Sequence, residues 1–299
     1  MKRPEYLKKG DSVAVVATAK SFSREQLKEG IQILESWGLN IVKGSSIYNI
    51  HHQFAGTDEE RIYDLQEMLD RKDVKAIFCA RGGYGTARVI DQLNFSKFKK
   101  FPKWVVGFSD VTVLLNKIEA IGVESVHGPM VLTLGKYNDP DSNESLKKIL
   151  FGKKVNYNTD PHFLNIYGKA EGKLTGGNLS IICSQIGTAS ELDTRNKILF
   201  IEEVDEYLYR FDRLMVQLKR SGKLKSLKGL IVGQLSDMKD NEPSFGSTPN
   251  EIIVDHVKEY KYPVIFGFRA GHEAVNLSLA FGRTTSMNVS GKSVKIIQS

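Results

Sequence analysis

Residues 104–115 read WVVGFSDVTVLL: an apolar run, the polar pair Ser109 and Asp110, and a second apolar run. The first run is typical of a buried strand and the second of a buried helix. The polar pair is explained most simply as a helix cap, because Ser and Asp accept hydrogen bonds from the N–H groups of a first helical turn. A second explanation places Ser109 on a strand-to-helix corner as a nucleophile. This stretch alone favours the cap.

The same strand-to-helix unit repeats through the first half of the chain. Five apolar segments predict strands, with helical patterns between them: DSVAVVATA, LNIVKG, KAIFCA, KWVVGF and ESVHG. Thr57 and Glu60 have the spacing of a capping box before one of these helices. Such alternation predicts a parallel sheet covered on both faces, with ligands at the carboxyl ends of the strands. Ser109 follows the fourth strand and residues 81–83 follow the third, so both are expected at that edge.

The second half of the chain has a more mixed pattern. Residues 136–162 are polar and rich in Asn and Asp, which predicts a linker with one short helix. Beyond it, KILFIEE, GLIVGQL and PVIFGF predict strands, and YLYRFDRLMVQLKRSG predicts an amphipathic helix. The last three apolar segments, NLSLAFG, SMNVS and KSVKIIQ, predict a small antiparallel sheet.

These patterns together predict an α/β protein in three parts. We expect a doubly wound parallel-sheet domain at residues 1–140, a linker at residues 141–165, and a smaller mixed α/β domain with antiparallel strands at residues 166–299. The first domain would carry Ser109.

Composition and charge narrow the classes of function. The 299 residues are 41% hydrophobic and 26% charged, as in ordinary globular proteins. No window is long and apolar enough for a signal peptide or a membrane span, so we expect no membrane partner. Cys79 and Cys183 lie in apolar runs, which favours buried thiols over a nucleophile or a disulfide and fits a reducing cytoplasm. The net charge of +7 comes from scattered Lys and Arg, so a solvated basic surface is expected rather than a nucleic-acid interface.

The sequence contains no complete cofactor or metal motif. The six histidines are spread along the chain, and neither H-E-x-x-H nor C-x-x-C occurs, so we expect no metal. Residues 82–85 form part of a dinucleotide fingerprint, but Arg88 stands where its third glycine should be. We therefore expect no cofactor. The same small residues can point backbone N–H groups at a ligand, or can form an ordinary tight turn.

A serine becomes a nucleophile when an imidazole takes its proton and a carboxylate holds that imidazole. Among the histidines, His127 ends a strand at the expected edge, and His272 lies in the turn RAGHEAVN after another strand. For the carboxylate, Glu202 and Glu203 end the strand KILFIEE. Because side chains alternate along a strand, we expect one of them to enter a site and the other to meet solvent or an arginine such as Arg210 or Arg213. The simpler explanation of this pair is that both glutamates lie on the surface.

Eight stretches together resemble the LD-carboxypeptidase family, the S66 serine peptidases: FAGTDEER, AIFCARGGYG, VVGFSD, HGPM, LTGGNLS, ILFIEEV, YRFDRLMVQL and GHEAVNLSLAFG. They occur in the order of the family and span the chain from about residue 10 to its end. The elbow reads G-F-S-D-V rather than the G-x-S-x-G of α/β-hydrolases. Residues 279–282 lack the proline that the family often has there, which concerns the rigidity of a loop.

The resemblance implies a serine carboxypeptidase in which Ser109 is the nucleophile, His272 the general base and Glu202 the carboxylate that orients it. The family removes the terminal D-alanine that follows a diamino acid in murein tetrapeptides. This reaction belongs to cell-wall recycling in the cytoplasm. A homodimer is expected from the resemblance alone.

The resemblance also implies an oxyanion hole of backbone N–H groups at Gly82, Gly83 and Asp110. A carbonyl oxygen that becomes an oxyanion needs such fixed donors. The side chain of Asp110 is then expected to cap the helix that begins there, while Ser109 faces the cleft.

Two other functions remain as alternatives. The related microcin C immunity peptidases hydrolyse an aminoacyl-nucleotide analogue, and usually carry a longer loop whose aromatic residues stack on the nucleobase. Neither Trp37 nor Trp104 lies in such an insertion, which favours the murein enzyme. A non-catalytic muropeptide-binding protein is the other alternative, and the complete set of Ser109, Glu202 and His272 argues against it.

Overall fold

A computed structural model describes residues 1–299, and the chain divides into two compact units. The first unit consists of Met1–Lys153 and Leu277–Gly282, and the second of Lys154–Asn276 and Arg283–Ser299. The chain therefore passes from one unit to the other three times. No helix combines the length and the apolar character that a membrane crossing requires.

The strands, numbered along the chain, are β1 (Ser12–Val16), β2 (Asn40–Lys43), β3 (Val74–Cys79), β4 (Trp104–Gly107), β5 (Ser125–His127), β6 (Val155–Thr159), β7 (Gly168–Asn178), β8 (Lys197–Val204), β9 (Gly229–Ser236), β10 (Val264–Ile265), β11 (Leu279–Phe281), β12 (Thr284–Val289) and β13 (Val294–Gln298). The helices are α1 (Arg24–Ser36), α2 (Asp58–Asp70), α3 (Thr86–Val89), α4 (Ser96–Lys100), α5 (Thr112–Ala120), α6 (Val131–Tyr137), α7 (Pro140–Leu150), α8 (Leu179–Ser184), α9 (Leu208–Arg220) and α10 (Pro249–Val257). Short 3₁₀ turns lie at Ile90–Gln92 and Ser109–Val111.

The first unit is built on a six-stranded sheet in the order β2-β1-β3-β4-β5-β11. Strands β1 to β5 are parallel, which confirms the five predicted strands and the doubly wound sheet. The strand order reverses between β1 and β3, because the chain leaves β1 towards β2 on one side and leaves β3 towards β4 on the other. In parallel sheets of this order, ligands bind beyond the carboxyl ends of the strands at that reversal.

The predicted capping box before α2 is confirmed. The hydroxyl of Thr57 accepts a hydrogen bond from the N–H of Glu60, and the carboxylate of Glu60 accepts one from the N–H of Thr57. These reciprocal bonds satisfy two of the donors that a helix start would otherwise leave without partners. They fix the beginning of a helix that packs next to the sheet.

Strand β11 departs from the expected small antiparallel sheet. It pairs antiparallel with β5 at the edge of the first sheet, with Leu279 opposite His127 and Phe281 opposite Ser125. All three of its residues are fully buried. The sequence pattern predicted a strand here, but a run of only three buried residues carries no information about its partner. The other two predicted strands, β12 and β13, do pair antiparallel with each other.

The polar stretch predicted as a linker with one short helix does contain that helix, α7, and it also contains a strand that was not predicted, β6. Helix α7 begins with Asp139 as its cap, which accepts a hydrogen bond from the N–H of Ser142, and with Pro140 in its first turn. Strand β6 alternates buried Val155 and Tyr157 with outward polar residues. Its outward residues made it look like a linker in sequence. The first unit therefore runs to Lys153, beyond the boundary expected at residue 140.

The second unit is built on a seven-stranded mixed sheet in the order β10-β9-β8-β7-β12-β13-β6. Strands β7 to β10 are parallel, and β12, β13 and β6 extend the sheet in antiparallel pairs. The sheet and helices α8, α9 and α10 enclose one hydrophobic core, which includes Leu199, Ile201, Phe211, Met215, Leu218, Ile252, Ile253 and Val257. The carboxyl ends of β7, β8 and β9 meet at one edge of this sheet.

Candidate active site

In the first unit, Ser109 lies on a strained corner between β4 and α5. Phe108 is extended, and Ser109 then adopts a φ of +59°, in the left-handed region that a non-glycine residue rarely occupies. A single 3₁₀ turn leads from Ser109 into α5. Backbone strain of this kind concentrates at functional positions, and a sharp strand-to-helix elbow is the usual support of a nucleophilic serine.

The side chain of Asp110 is not the cap of its own helix, contrary to our expectation. It lies inside the 3₁₀ turn, and α5 begins two residues later without a side-chain cap. Its Oδ2 instead accepts hydrogen bonds from the N–H of Thr86 at 2.9 Å and from the hydroxyl of Thr86 at 2.6 Å. Thr86 is the first residue of α3. Buried Asp110 therefore ties the Ser109 corner to the end of the glycine turn at residues 81–85.

The glycine turn passes directly beside Ser109. A Cβ atom on Gly82 would lie 3.3 Å from the Cβ and 3.5 Å from the Oγ of Ser109, so only glycine leaves this space open. The backbone N–H groups of Gly82, Gly83 and Asp110 donate to no acceptor within the protein. Uncommitted N–H groups near a hydroxyl can hold a negative charge that develops on a bound carbonyl oxygen.

In the second unit, His272 is paired with Glu202. The Nδ1 of His272 lies 2.7 Å from the Oε2 of Glu202, which is fully buried near the carboxyl end of β8. Burial alone would lower the pKa of His272, but the charge and hydrogen bond of Glu202, with a further contribution from Glu203, raise that pKa above its usual value. With Nδ1 engaged by the carboxylate, the chemistry of a general base belongs to Nε2.

The loop that carries His272 is held by two polar side chains that sequence reasoning missed. The amide of Gln234 accepts a hydrogen bond from the N–H of Glu273 and donates one to the carbonyl of Val275. The side chain of Asn276 accepts a hydrogen bond from the N–H of Gly271. The one available signal was a glutamine inside the apolar run GLIVGQL, where a buried amide needs partners.

Gly271 allows the loop to pass close to Glu202. Its φ is +146°, and a Cβ atom there would lie 3.0 Å from the Cβ of Gln234 and 3.3 Å from the Oε2 of Glu202. A side chain at this position would therefore displace either the carboxylate or its support.

Glu203 meets neither solvent nor an arginine, and that expectation was wrong. It is 2% exposed and accepts hydrogen bonds from the side chain of Asn178 and from the N–H and hydroxyl of Ser180, at the start of α8. Burial raises the pKa of Glu203, and these hydrogen bonds offset part of the effect. Strand alternation does separate the two glutamates, but both faces of β8 are covered, so both carboxylates are buried.

Two other candidate side chains are parts of the core. His127 is fully buried, with its ring centroid 5.9 Å from that of Phe108 and 5.8 Å from that of Phe281. Cys79 is fully buried, and burial raises the pKa of its thiol to about 12. A thiol with that pKa is protonated at neutral pH and is a poor nucleophile.

Comparison with known protein families shows which family the chain belongs to. The N-terminal domain of LD-carboxypeptidases, peptidase family S66, matches residues 13–128, and the C-terminal domain of the same family matches residues 171–287. The chain belongs to the LD-carboxypeptidase family. This confirms the resemblance seen in the sequence motifs, and it makes the protein a hydrolase of the serine carboxypeptidase type.

Individual relatives agree with this assignment. The probable murein peptide carboxypeptidase of Bacillus subtilis is 36% identical over 98% of this chain and 94% of its own length. The muramoyltetrapeptide carboxypeptidase of Oxalobacter formigenes has a crystal structure that covers 96% of this chain and 98% of its own, with 28% identity and a TM-score of 0.89. The present chain is also 24% identical to the microcin C7 self-immunity protein MccF of Escherichia coli, over 94% of the chain and 91% of MccF.

Proposed function

We propose that this LD-carboxypeptidase removes the terminal D-alanine from murein tetrapeptides, with Ser109, His272 and Glu202 as its catalytic residues. The observation that carries the proposal is the contact between the fully buried Glu202 and His272, at 2.7 Å, in a chain of this family. Such a pair fixes the tautomer and the orientation of an imidazole that acts as a base. The strained corner at Ser109 and the donors beside it support the same reaction.

The proposed reaction proceeds through an acyl-enzyme. The Oγ of Ser109 attacks the carbonyl carbon before D-alanine, and its proton passes to Nε2 of His272. The tetrahedral intermediate collapses, the C–N bond breaks, and the proton on His272 goes to the leaving amine. A water molecule then attacks the ester carbonyl and gives one proton to Nε2 of His272. The bond from the acyl carbon to Oγ breaks, and His272 passes that proton to Oγ, which regenerates Ser109. Glu202 holds Nδ1 of His272 and stabilises the imidazolium.

The N–H groups of Gly82, Gly83 and Asp110 are the proposed donors to the oxyanion. They make no hydrogen bond within the protein, and the backbone at Gly82 approaches Ser109 closely. Donors that are already in position need no reorganisation when the charge develops, which is the condition for effective electrostatic stabilisation. No step of this reaction requires a metal ion.

The substrate class follows from the relatives. The similar proteins of Bacillus subtilis and Oxalobacter formigenes are named for murein peptide and muramoyltetrapeptide carboxypeptidase activity. We extend this to a role in cell-wall recycling in the cytoplasm, which is consistent with two free cysteines. The homodimer stays a prediction from the family, to be measured by light scattering on the purified protein.

Hydrolysis of a defined murein tetrapeptide tests the proposal. The purified protein should release D-alanine and leave the tripeptide, both detected by mass spectrometry. The Ser109→Ala variant should retain the fold by circular dichroism and lose several orders of magnitude in rate. Activity of Ser109→Ala within about tenfold of the parent would overturn the role of Ser109, because tenfold is only about 1.4 kcal/mol of barrier.

Two further samples separate the alternatives. An aminoacyl sulfamoyl nucleotide is the test substrate for the microcin-type activity, to which the similarity with MccF points. Hydrolysis of that compound with no release of D-alanine would replace the murein proposal. Tight binding of the tetrapeptide without hydrolysis of either compound would instead support a muropeptide-binding protein.

A further inference from the structure

Two cationic residues flank the point where the strand order of the first sheet reverses. The chain leaving β1 carries Lys20, and the chain leaving the neighbouring strand β3 carries Arg81 followed by Gly82 and Gly83. Ligands of such sheets bind in the crevice at this reversal. The Ser109 corner, at the end of the next strand β4, lies against Gly82.

The side chain of Lys20 lies along the glycine turn. A Cβ atom on Gly83 would be only 2.9 Å from the Cδ and 3.1 Å from the Cβ of Lys20, and the φ of Gly83 is +111°. The N–H of Lys20 also points at the carbonyl of Gly82, at 3.4 Å. Glycine at position 83 therefore makes room for the aliphatic part of Lys20 beside the donors next to Ser109.

Neither cation of this crevice is neutralised by the protein. Lys20 and Arg81 are partly buried, and neither forms an ion pair. Arg81 donates one hydrogen bond, to the carbonyl of Ser21 at 2.8 Å. By contrast, Arg61 and Arg88 of the same unit are both paired with Asp58. Partly buried cations without a carboxylate partner are suited to an anionic ligand.

We propose that Lys20 and Arg81 bind the terminal carboxylate of the leaving amino acid and so restrict the enzyme to the end of a peptide. This inference rests on the proposed function. Three bonds separate the scissile carbonyl carbon from that carboxylate carbon. A residue that reads the carboxylate must therefore lie within a few ångströms of the oxyanion donors, as Lys20 does through its contact with Gly83. A substrate held by its scissile carbonyl at the oxyanion donors and by its terminal carboxylate at Lys20 and Arg81 is aligned for attack by Ser109.

The test compares charge at position 20 with charge at the end of the substrate. Lys20→Met keeps a long aliphatic side chain over Gly83 and removes the charge, and Lys20→Arg keeps the charge. We expect Lys20→Met to lower kcat/KM for the free-acid tetrapeptide by ten- to a hundredfold, or about 1.4–2.7 kcal/mol. For the tetrapeptide with a C-terminal amide, kcat/KM should be the same in Lys20→Met and Lys20→Arg. Arg88→Met is the matched control, because it removes a cation that is already paired.

A second pair of substrates separates the two possible sources of a carboxylate. Tetrapeptides with lysine or with meso-diaminopimelate before D-alanine differ in a side-chain carboxylate but share the terminal one. The effect of Lys20→Met should be the same for both. An effect confined to the diaminopimelate peptide would overturn the assignment to the terminal carboxylate.

Binding without turnover keeps this inference separate from the proposed function. In Ser109→Ala, N-acetyl-D-alanine should bind at least tenfold more tightly than its amide by NMR titration, and adding Lys20→Met or Arg81→Met should remove the difference. Equal affinity for acid and amide would overturn the carboxylate site, whether or not the tetrapeptide is cleaved. A preserved preference for the acid, in a protein that cleaves no tetrapeptide, would support the site and overturn the proposed function.

Discussion

The same substitution at two adjacent glutamates should lower the catalytic rate in one case and the stability of the fold in the other. Glu202 and Glu203 are both buried, at 0% and 2% exposure, but they bind different parts of the second unit. Glu202 holds His272 at 2.7 Å, whereas Glu203 holds Asn178 and Ser180 at the start of α8. Glu202→Gln and Glu203→Gln each remove one buried charge and preserve the shape of the side chain. Each variant is therefore the control for the other.

Glu202→Gln should abolish most catalysis while the protein stays folded. An amide can turn its NH₂ group towards Nδ1 of His272, which then holds the wrong tautomer with Nε2 protonated. In the Ser-His-Asp template this change costs about 10⁴ in kcat, and we expect roughly 10³–10⁴ here, or about 4–5.5 kcal/mol. The measurement is kcat and KM for the tetrapeptide, with the fraction of folded protein checked by circular dichroism.

Glu203→Gln should cost stability rather than rate. Its NH₂ group would face the N–H of Ser180 or the side-chain amide of Asn178, so at least one hydrogen bond is lost. A lost bond to a charged acceptor costs about 1.5–3 kcal/mol, and relief from burying the carboxylate offsets part of this. We expect Tm to fall by a few degrees and kcat to stay within about tenfold of the parent. Equal losses of kcat in the two variants, at equal stability, would refute the assignment of Glu202.

Three further predictions concern pH, the loop of His272 and metal ions. Glu202 and Glu203 together raise the pKa of His272 by more than burial lowers it. The value of kcat/KM should therefore fall with decreasing pH, at a midpoint above the ordinary histidine pKa of about 6.5. Glu202→Gln should move the midpoint of any residual activity to lower pH, and an unchanged midpoint would contradict the coupling between Glu202 and His272. Gly271→Ala should reduce kcat at least tenfold, because the added Cβ would press on Gln234. Gly246 has a φ of +84° and no atom within 4 Å of an added Cβ, so Gly246→Ala has only the backbone strain and should keep kcat. Equal values of kcat in the two variants would count against the role of the loop that carries His272. Activity should survive dialysis against EDTA, and a loss that added zinc restores would contradict the metal-free reaction.

Much of the first unit could be predicted from the sequence, because its signals are local. Buried parallel strands give continuous apolar runs, and the capping box at Thr57 and Glu60 marks a helix start within four residues. The partner of β11 could not be predicted, since it comes from a segment about 150 residues away and pairs through three buried residues. The stretch around β6 was misjudged for another reason. Its outward Asn156 and Asn158 have a loop-like composition, although the strand has a regular alternation.

The candidate site was predictable only through recognition of several motifs together. Ser109, Glu202 and His272 lie far apart in the sequence, and each has an ordinary structural explanation when taken alone. What could not be inferred is the support around them. Gln234 acts through backbone groups of the loop that carries His272, and nothing in its local sequence indicates which loop that is.

The acidic residue next to each of two proposed catalytic residues has the same role in its own unit. Asp110 follows Ser109 and binds the first N–H of α3, and Glu203 follows Glu202 and binds the N–H of Ser180 in α8. In both cases a buried carboxylate joins the segment that carries the proposed functional group to the first turn of a helix. The adjacent residues of the pairs Ser-Asp and Glu-Glu therefore have separate roles: one is the proposed reacting or orienting residue, and its neighbour fixes the backbone.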